Sequence, residues 1–425
     1  MTMESNERKM KAILVIADGL GGRPTDVNGR SCLEAAKTPY LDALAARGAL
    51  GLVDPIGPGI RPGSDTAHLS LLGYDPFEIY TGRGVFECLG IGMDVHAGDV
   101  CFRANFATVE PHGPKLIVID RRAGRIESGQ DDLATALNGI RLKDVAGVSF
   151  EFRASTQHRG ALLLRGERLS RHVTENDPHK NKKPTLRFQA TPGHDDEAAH
   201  RTAAVMNELT RKSYEVLWDH PVNRDRIAAE ELPANYLLAR GAADDPELPS
   251  LQSIYGVRGA VVAGGALYRG VALACGMTSI DVPGATGGLD TDLDAKARAA
   301  IEALDGFDYV FVHVKGTDNA GHDRDAAAKT AFIERIDAEL IAPMVERLDW
   351  GKAHLAFTGD HTTPIGYGDH TVEPVPVLCA GPNVHTDGTT SFGEREAGRG
   401  GLGRFSGRVL PILLGYCDWA PKFGS

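Results

Sequence analysis

The chain has 425 residues, with 46 Lys or Arg against 57 Asp or Glu, which gives a formal net charge of −11. At about 150 residues per domain, this length predicts two or three domains. A hydrophobic content of 42% and a charged content of 24% exclude a disordered or fibrous chain. The acidic balance argues against a nucleic-acid partner, whose binding surface would be dominated by basic residues.

We expect neither a targeting segment nor a membrane span. The first ten residues are polar and lack the apolar centre of a secretory signal. The apolar stretch 259–276 is interrupted by Arg269, so it falls short of the roughly 18 clean apolar residues of a membrane helix. The six cysteines lie far apart without C-x-x-C spacing, which favours buried thiols in a reducing compartment. These features predict a cytoplasmic protein with no membrane partner.

The first predicted element is a strand over Lys11–Ala17, whose continuous apolar run is typical of a strand buried on both faces. It runs into Asp18 and a glycine-rich turn, where α/β proteins place ligands. Thr38 and Pro39 predict the start of a helix, as its N-cap and first residue, and Gly48 is expected to close it.

The middle of the chain has a different character. From about residue 96 to 240 the segments are shorter and richer in Arg and His, and those at 115–120 and 161–165 alternate with a period of two. We interpret 96–240 as a smaller α+β domain inserted into a core that is formed by 1–95 and 241–425.

Three later strands resemble the first. The apolar runs are 307–314, 354–358 and 374–380, and a helix is expected between the first two, from about 325 to 348. Its apolar stripe at period four is Phe332, Ile336, Leu340, Met344 and Leu348, the pattern of a helix that covers a sheet. The alternation of strands and helices predicts an α/β fold with a mostly parallel sheet flanked by helices.

Aspartate and histidine side chains follow the ends of these strands. They are Asp18, Asp318, His322, Asp360, His361 and His370. Taken singly, each could equally cap a helix or form a turn, but together they predict a site. Three Asp and three His favour Mg²⁺, Mn²⁺, Zn²⁺ or Co²⁺ over soft metals. Two ions that each keep an open position would need roughly this many ligands.

Ser64 is the candidate nucleophile. Pro62 and Gly63 predict a turn, and the residues from Ser64 to Gly73 predict a helix. Ser64 would then stand at a helix N-terminus, where backbone N–H groups and the helix dipole favour a phosphoryl group. A serine in this place is more often only an N-cap. Coordination to one of the two ions would make the hydroxyl reactive by lowering its pKa.

Five motifs carry a resemblance to a known family. They are VIADGLGG at 15–22, RPGSDTAHLSLLGYDP at 61–76, VPGATGGLDTD at 282–292, VHVKGTDNAGHD at 312–323, and TGDHTTP at 358–364 with the later DHTVEPVPV. On these motifs the chain resembles the cofactor-independent phosphoglycerate mutases of the shorter, archaeal-type branch, within the alkaline phosphatase superfamily. The resemblance spans nearly the whole chain and is diffuse between about residues 130 and 240.

The resemblance implies an alkaline-phosphatase-like core and an isomerase, an intramolecular phosphotransferase that interconverts 3-phosphoglycerate and 2-phosphoglycerate in glycolysis and gluconeogenesis. Ser64 resembles the serine that is transiently phosphorylated. Asp318, His322 and His370 match the ligands of one metal, and Asp18, Asp360 and His361, with Ser64, match those of the other. Mn²⁺ or Mg²⁺ is expected first and Zn²⁺ or Co²⁺ next, with no need for 2,3-bisphosphoglycerate. No ligand position departs from the family pattern.

The inserted domain is expected to bind the small phosphorylated hydroxy acid and to act as a lid that keeps water from the phosphoserine. Arginine suits a carboxylate, because its planar fork pairs with both oxygens. The candidates are Arg103, Arg121, Arg122, Arg125 and Arg159, although any one of them could equally be a solvated surface residue. His158, Asp177 and His179 are candidates for steering the hydroxyl protons, and Lys315 is expected to point at the phosphate.

Rival functions share the same core. A metal-dependent phosphatase or phosphonate hydrolase would differ only in admitting water to the phosphoserine. A phosphotransferase would pass the group to another small hydroxy acid. A binding module that has lost turnover is disfavoured, because the nucleophile and all six Asp and His ligands are present.

Overall fold

The computed structural model describes residues 10–143 and 145–424. It is a mixed α/β structure with two sheets, and it divides into two compact units. The core unit comprises residues up to Tyr80 and from Leu248 onward, and the inserted unit is Thr81–Glu247. The inserted unit begins at residue 81, where the sequence predicts 96, and ends at residue 247, where the sequence predicts 240. Among the described residues, no helix combines the length and the apolar character that a membrane crossing requires.

The strands carry labels in chain order. They are β1 (Lys11–Ala17), β2 (Gly48–Asp54), β3 (Val100–His112), β4 (Lys115–Asp120), β5 (Val148–Ala154), β6 (Arg159–Gly166), β7 (Lys183–Pro184), β8 (Tyr236–Ala243), β9 (Gly259–Val262), β10 (Thr278–Ser279), β11 (Tyr309–Val314), β12 (Ala353–Thr358), β13 (Val375–Ala380) and β14 (Gly403–Ser406).

The α-helices are labelled in the same way. They are α1 (Cys32–Ala35), α2 (Pro39–Ala45), α3 (Ser64–Leu71), α4 (Pro76–Ile79), α5 (Gly84–Gly90), α6 (Gln130–Asn138), α7 (Glu197–Leu217), α8 (Pro221–Ala228), α9 (Leu251–Tyr255), α10 (Ala266–Ala274), α11 (Leu293–Ala303), α12 (Gly316–His322), α13 (Ala326–Arg335), α14 (Ala342–Arg347), α15 (Glu394–Ala397) and α16 (Val409–Tyr416). A 3₁₀ turn spans Ala123–Arg125, and a π-helical segment spans Ile336–Ile341.

The core unit is built on an eight-stranded sheet in the order β10-β9-β11-β1-β12-β13-β2-β14. Strand β1 lies between β11 and β12 and is parallel to both. Its Ile16 stands opposite His313 on one side and Thr358 on the other, so the three strands end at the same edge. Only the pairings of β13 with β12 and β2 are antiparallel within this sheet. The predicted buried strand over Lys11–Ala17 is confirmed.

The predicted helix over 325–348 is confirmed as an unbroken helical run from residue 326 to residue 347. It consists of α13, the π-helical segment and α14, and all five residues of its predicted stripe are buried in the core. A π-helical turn admits one extra residue per turn and often marks a functional or packing constraint. Here it carries Asp337, whose carboxylate accepts the backbone N–H groups of Tyr40 and Leu41 at the start of α2.

The expected role of Gly48 is wrong. Helix α2 begins at Pro39, as predicted, but ends at Ala45, and Gly48 is the first residue of β2. A Cβ atom at Gly48 would lie 2.4 Å from the carbonyl oxygen of Cys379 on the neighbouring strand. The glycine therefore allows two strands to approach, rather than ending the helix.

The inserted unit has its own six-stranded sheet and its own apolar core. The strand order is β5-β6-β3-β4-β7, with β8 also paired to β3, and the pairings are antiparallel. The long helix α7 buries one face against this core. All six cysteines of the chain are free and buried, as the sequence predicts.

Candidate active site

Three strand ends bring the predicted ligands of the core unit together. Asp18 follows β1, Asp318 lies in α12 just after β11, and Asp360 and His361 follow β12. Because the three strands are parallel and adjacent, their carboxyl ends meet at one edge. The predicted convergence of scattered residues therefore has a simple cause in the order of the strands.

The turn after β1 needs a glycine. Gly19 has a left-handed φ of 67°, and its backbone N–H donates to Asp360 Oδ1 at 2.9 Å. A Cβ atom there would lie 2.8 Å from the Cα of Asp318. Any other residue would be strained and would push apart the two turns that carry the acidic side chains.

Asp18, Asp360 and His361 form the first candidate metal group. Their ligand atoms all lie within 4.8 Å of one another, and the three side chains are fully buried. His361 Nε2 is 3.3 Å from Asp18 Oδ1 and 3.3 Å from Asp360 Oδ2. Ser64 Oγ lies 3.4 Å from the same nitrogen, which places the candidate nucleophile at this group.

A second group surrounds Asp318. Asp318, His361 and His370 place one ligand atom each within 4.8 Å of one another, and so do His322, Asp369 and His370. His322 Nε2 lies 3.3 Å, and His370 Nε2 lies 3.6 Å, from Asp318 Oδ1. The structure thus gathers the three predicted ligands of this ion and adds Asp369, which the sequence analysis did not single out.

The donor set fits divalent cations. Asp18 Oδ1 and Asp360 Oδ2 are buried and have no hydrogen-bond partner among the described residues. Buried carboxylate oxygens normally pair or bind a metal, because an uncompensated buried charge is costly. Burial, together with the charge of Asp18, raises the pKa of Asp360 to about 8. The crowding of carboxylates is what a bound cation would relieve.

Lys315 lies between the two groups. Its Nζ is 3.1 Å from Asp18 Oδ2 and 2.7 Å from Asp318 Oδ2. Burial alone would lower the pKa of Lys315, but the two carboxylates raise it well above its usual value. Burial also acts to raise the pKa of Asp18, yet the charge of Lys315 and the adjacent rings of His313 and His361 hold that pKa well below its ordinary range.

Ser64 is the first residue of α3, as predicted, with Gly63 as N-cap. Its side chain is nearly buried, and the positive end of the helix dipole lies at this position. His68, one turn later, donates Nδ1–H to the Ser64 carbonyl oxygen at 2.6 Å. A fully buried histidine therefore fixes the backbone at the start of this helix.

Sequence reasoning missed three buried aromatic residues that pack around Asp18 and the start of α3, namely Tyr268, His313 and His68. The Tyr268 hydroxyl donates to Asp18 Oδ2, and the Tyr268 ring stacks on His313 with centroids 3.4 Å apart. His68 contacts both rings, and burial lowers its pKa to about 4. Two signals were available: His68 follows Ser64 by four residues on a helix, and His313 interrupts an otherwise apolar strand.

The inserted unit contains two clusters of charged residues. In the first, Asp177 accepts two hydrogen bonds from Arg121, at 2.7 and 2.6 Å, and one from Arg240. Burial raises the pKa of Asp177, but these partners hold it at about 2. His179 pairs with Glu175 at 2.5 Å, on an exposed part of the same segment. Arg240 was not among the predicted residues.

The second cluster centres on Arg103. Its Nε is buried without a hydrogen-bond partner among the described residues, 3.7 Å from Glu87 Oε1. Burial, with the nearby charge of Arg83, lowers the pKa of Arg103 to about 9. His158 is buried, and burial with the charges of Arg159, Arg122 and Arg103 lowers its pKa to about 3.

Four predicted residues thus lie near enough to interact electrostatically at this second cluster, namely Arg103, Arg122, His158 and Arg159. Arg125 lies exposed in the 3₁₀ turn with a φ of 59°. Sequence reasoning missed Arg83 and Glu87. Their residue types carry no signal without the topology, because helix α5 and strand β3 bring them together.

Comparisons with known proteins identify one family. The profile of the family described as 2,3-bisphosphoglycerate-independent phosphoglycerate mutase matches residues 45–223. A protein of that name from Methanopyrus kandleri is 46% identical over the full length of both chains. Among solved structures, a protein of Pyrococcus horikoshii superposes with a TM-score of 0.84 at 37% identity, covering 98% of this chain and 99% of that one.

A second solved structure, a cofactor-independent phosphoglycerate mutase from Thermoplasma acidophilum, gives a TM-score of 0.68 at 34% identity. It covers 96% of this chain and 100% of its own. Identities of this size over complete chains show common descent as well as a common fold. This chain therefore belongs to the 2,3-bisphosphoglycerate-independent phosphoglycerate mutase family.

Proposed function

We propose that this chain is an isomerase that interconverts 3-phosphoglycerate and 2-phosphoglycerate through a phosphoserine at Ser64 beside two divalent ions. One observation carries the chemistry: Ser64 Oγ lies 3.4 Å from His361 Nε2, and His361 belongs to both candidate metal groups. The names of the full-length relatives support the substrate pair. We further propose a phosphatase-like core and an inserted domain that binds the substrate.

Ser64 is the group that changes its bonding. Its Oγ gives up its proton and forms a bond to phosphorus while the bond between phosphorus and the substrate oxygen breaks, and the released oxygen takes up a proton to give glycerate. The reverse step returns the phosphoryl group to the other hydroxyl of glycerate. The start of α3 supplies backbone N–H groups and a dipole that favour the phosphoryl charge.

Divalent ions, when bound by Asp318, His322 and His370 and by Asp18, Asp360, His361 and Ser64, supply charge stabilisation and lower the pKa of the serine hydroxyl. Lys315 pairs with both Asp18 and Asp318 and so keeps a positive charge between the two metal groups. Mn²⁺ or Mg²⁺ suits this set of oxygen and imidazole donors first.

The arginines of the inserted unit are proposed to bind the substrate carboxylate. The buried Nε–H of Arg103 has no hydrogen-bond partner among the described residues, so it is available to donate to a carboxylate oxygen. Arg121 and Arg240 are already oriented by Asp177. His158 is held neutral, so that it can accept a hydrogen bond from a hydroxyl of glycerate. The predicted roles of Arg122, Arg125, Arg159 and His179, and of the unit as a lid, remain proposals.

Metal removal tests the proposed function directly. We expect protein incubated with 3-phosphoglycerate and Mn²⁺, without 2,3-bisphosphoglycerate, to form 2-phosphoglycerate. Treatment with EDTA should abolish the product, and added Mn²⁺ should restore it. The measurement is ³¹P NMR of the mixture, which separates both esters from free phosphate. Formation of free phosphate alone would show a phosphatase instead, and an EDTA-resistant mutase would contradict the metal site.

Replacing Asp177 with asparagine tests the arginine cluster. Without the carboxylate, Arg121 and Arg240 lose the partner that orients them, so we expect the KM for 3-phosphoglycerate to rise by about tenfold while kcat falls less. Asp99→Asn is the matched control, because Asp99 is a buried aspartate of the same unit that accepts two hydrogen bonds from Arg165, at 2.9 and 2.6 Å, outside this cluster. Unchanged KM in Asp177→Asn would remove this cluster from substrate binding.

The same variant has a predictable dependence of stability on pH. The pKa of Asp177 is held at about 2 in the folded protein, below the value of about 3.9 in an unfolded chain. A lowered folded pKa contributes stability that is present above the unfolded pKa and is lost as the pH falls towards 2. We expect the stability difference between parent and variant, measured by urea unfolding, to narrow from pH 6 to pH 3.

A further inference from the structure

Thr363 joins the two candidate metal groups through one hydroxyl. It lies two residues after His361 and is fully buried. Its Oγ1 is 3.0 Å from Asp318 Oδ1 and 3.0 Å from His361 Nδ1.

The position of the protons follows from the chemistry of the three groups. The carboxylate of Asp318 can only accept, so the single hydroxyl proton of Thr363 is donated to it. Thr363 Oγ1 must then accept from His361, whose Nδ1 carries a proton. This leaves the Nε2 of His361, the atom nearest Ser64, Asp18 and Asp360, as the nitrogen that can face a cation.

The backbone of Thr363 is fixed by a buried lysine. Lys329, in α13, is fully buried, and its Nζ donates to the carbonyl oxygens of Thr363 and Gly21, each at 2.9 Å. Thr363 N–H also donates to Gly21 O at 3.2 Å. Gly21 belongs to the turn after Asp18, and Thr363 belongs to the turn after His361. The ammonium group of Lys329 therefore connects the turns that follow these two candidate ligands.

Lys329 has no carboxylate within salt-bridge distance in the described part of the chain. Burying a lysine without an opposite charge costs folding free energy. A methionine of similar length would avoid that cost but could donate no hydrogen bond, so the lysine must be explained by the groups to which it donates. Lys329 donates to two carbonyl oxygens, in the turns after Asp18 and His361, and these contacts explain why a lysine is present.

We propose that Thr363 and Lys329 are positioning residues for the metal pair: Thr363 fixes the proton of His361 on Nδ1, and Lys329 holds the Thr363 backbone in place. The inference rests on the proposed metal-dependent function. Partners that fix the tautomer and orientation of a histidine ligand typically change metal affinity by about 10- to 100-fold when they are removed.

The test compares two substitutions at one position. Thr363→Val keeps the shape and removes the hydroxyl, whereas Thr363→Ser keeps the hydroxyl. The matched control is Thr358→Val, a fully buried threonine whose Oγ1 donates to the carbonyl oxygens of Pro376 and Gly359, at 2.9 and 3.3 Å, and, in the described part of the chain, to no side chain of a metal group. Calorimetric titration of the metal-free proteins with Mn²⁺ gives the affinity, and thermal melting of the same samples reports folding.

We expect Thr363→Val to bind Mn²⁺ about 10- to 100-fold more weakly than the parent. Thr363→Ser and Thr358→Val should bind close to the parent level. Parent-like binding by Thr363→Val would overturn the inference, as would equally weak binding by the serine variant or by the Thr358 control. A parent protein that binds no Mn²⁺ would overturn the proposed function itself.

Lys329→Met tests the second half of the inference. We expect its metal-free form to melt no lower than the Thr358→Val control, while its Mn²⁺ affinity falls in the same direction as that of Thr363→Val. Because both residues act on one turn, the double variant should bind no more weakly than the weaker single variant. A role for Lys329 through Thr363 would be contradicted if the losses of Mn²⁺ affinity of the two single variants multiplied in the double variant. It would also be contradicted if Lys329→Met bound Mn²⁺ as tightly as the parent.

Discussion

Replacing Ser64 with alanine is expected to abolish phosphoryl transfer while the protein keeps its metal ions. The substitution removes the only atom proposed to bond to phosphorus, so turnover should fall by at least about four orders of magnitude. The ion beside it keeps Asp18, Asp360 and His361, which are fully buried and do not depend on the serine for their position. Mutase activity and metal content by mass spectrometry are the measurements.

Ser70→Ala is the matched control, because Ser70 is a nearly buried serine on the same helix, away from the metal groups. It should retain activity. Exposure of the parent to 3-phosphoglycerate followed by acid quenching should leave phosphate on Ser64, and the Ser64→Ala variant should carry none. Turnover of that variant near the parent level would refute its role as nucleophile.

The second large effect is expected for Asp18→Asn. The amide keeps the shape but removes a charge that faces Lys315 Nζ, His313 and His361 and accepts the Tyr268 hydroxyl. We expect the bound Mn²⁺ to fall from two ions to one, because the first metal group loses one of its two carboxylates. Activity should fall by about a thousandfold, as the charge stabilisation beside Ser64 is lost.

Asp54→Asn separates this effect from the general cost of altering a buried aspartate. Asp54 is buried in the same unit and receives two hydrogen bonds from Arg404, at 2.7 and 2.8 Å, at the end of β2. It should lose stability but keep two ions. Retention of both ions by Asp18→Asn, measured by calorimetry, would contradict the assignment of Asp18 as a ligand.

The core of the fold was predictable because its strands are buried on both faces. The runs at 11–17 and 354–358 read as continuous apolar strands, and the structure has strands there. Polar residues at the ends of such strands carry a signal, since a parallel sheet places them at one edge. That is why Asp18, Asp360 and His361 could be named from the sequence.

The rest depends on contacts that no local pattern encodes. Arg83 lies near Arg103 only because α5 packs against β3. Arg240 and Arg121 are brought together only because both pair with Asp177, on another segment. The contribution of Lys329 is equally hidden, because a lysine in a helix is ordinarily a solvated residue. Its burial follows from the docking of α13 over the sheet, which the sequence pattern predicts only as an apolar stripe.

The order of the core sheet has a consequence for synthesis. Strand β1 leaves the ribosome before both of its neighbours, because β11 and β12 are translated some three hundred residues later. Until then its two edges have no native partner, whereas the continuous segment 81–247 already holds all six strands of its own sheet. Nascent chains of this protein should therefore acquire protease resistance first in the middle of the sequence and last at its beginning.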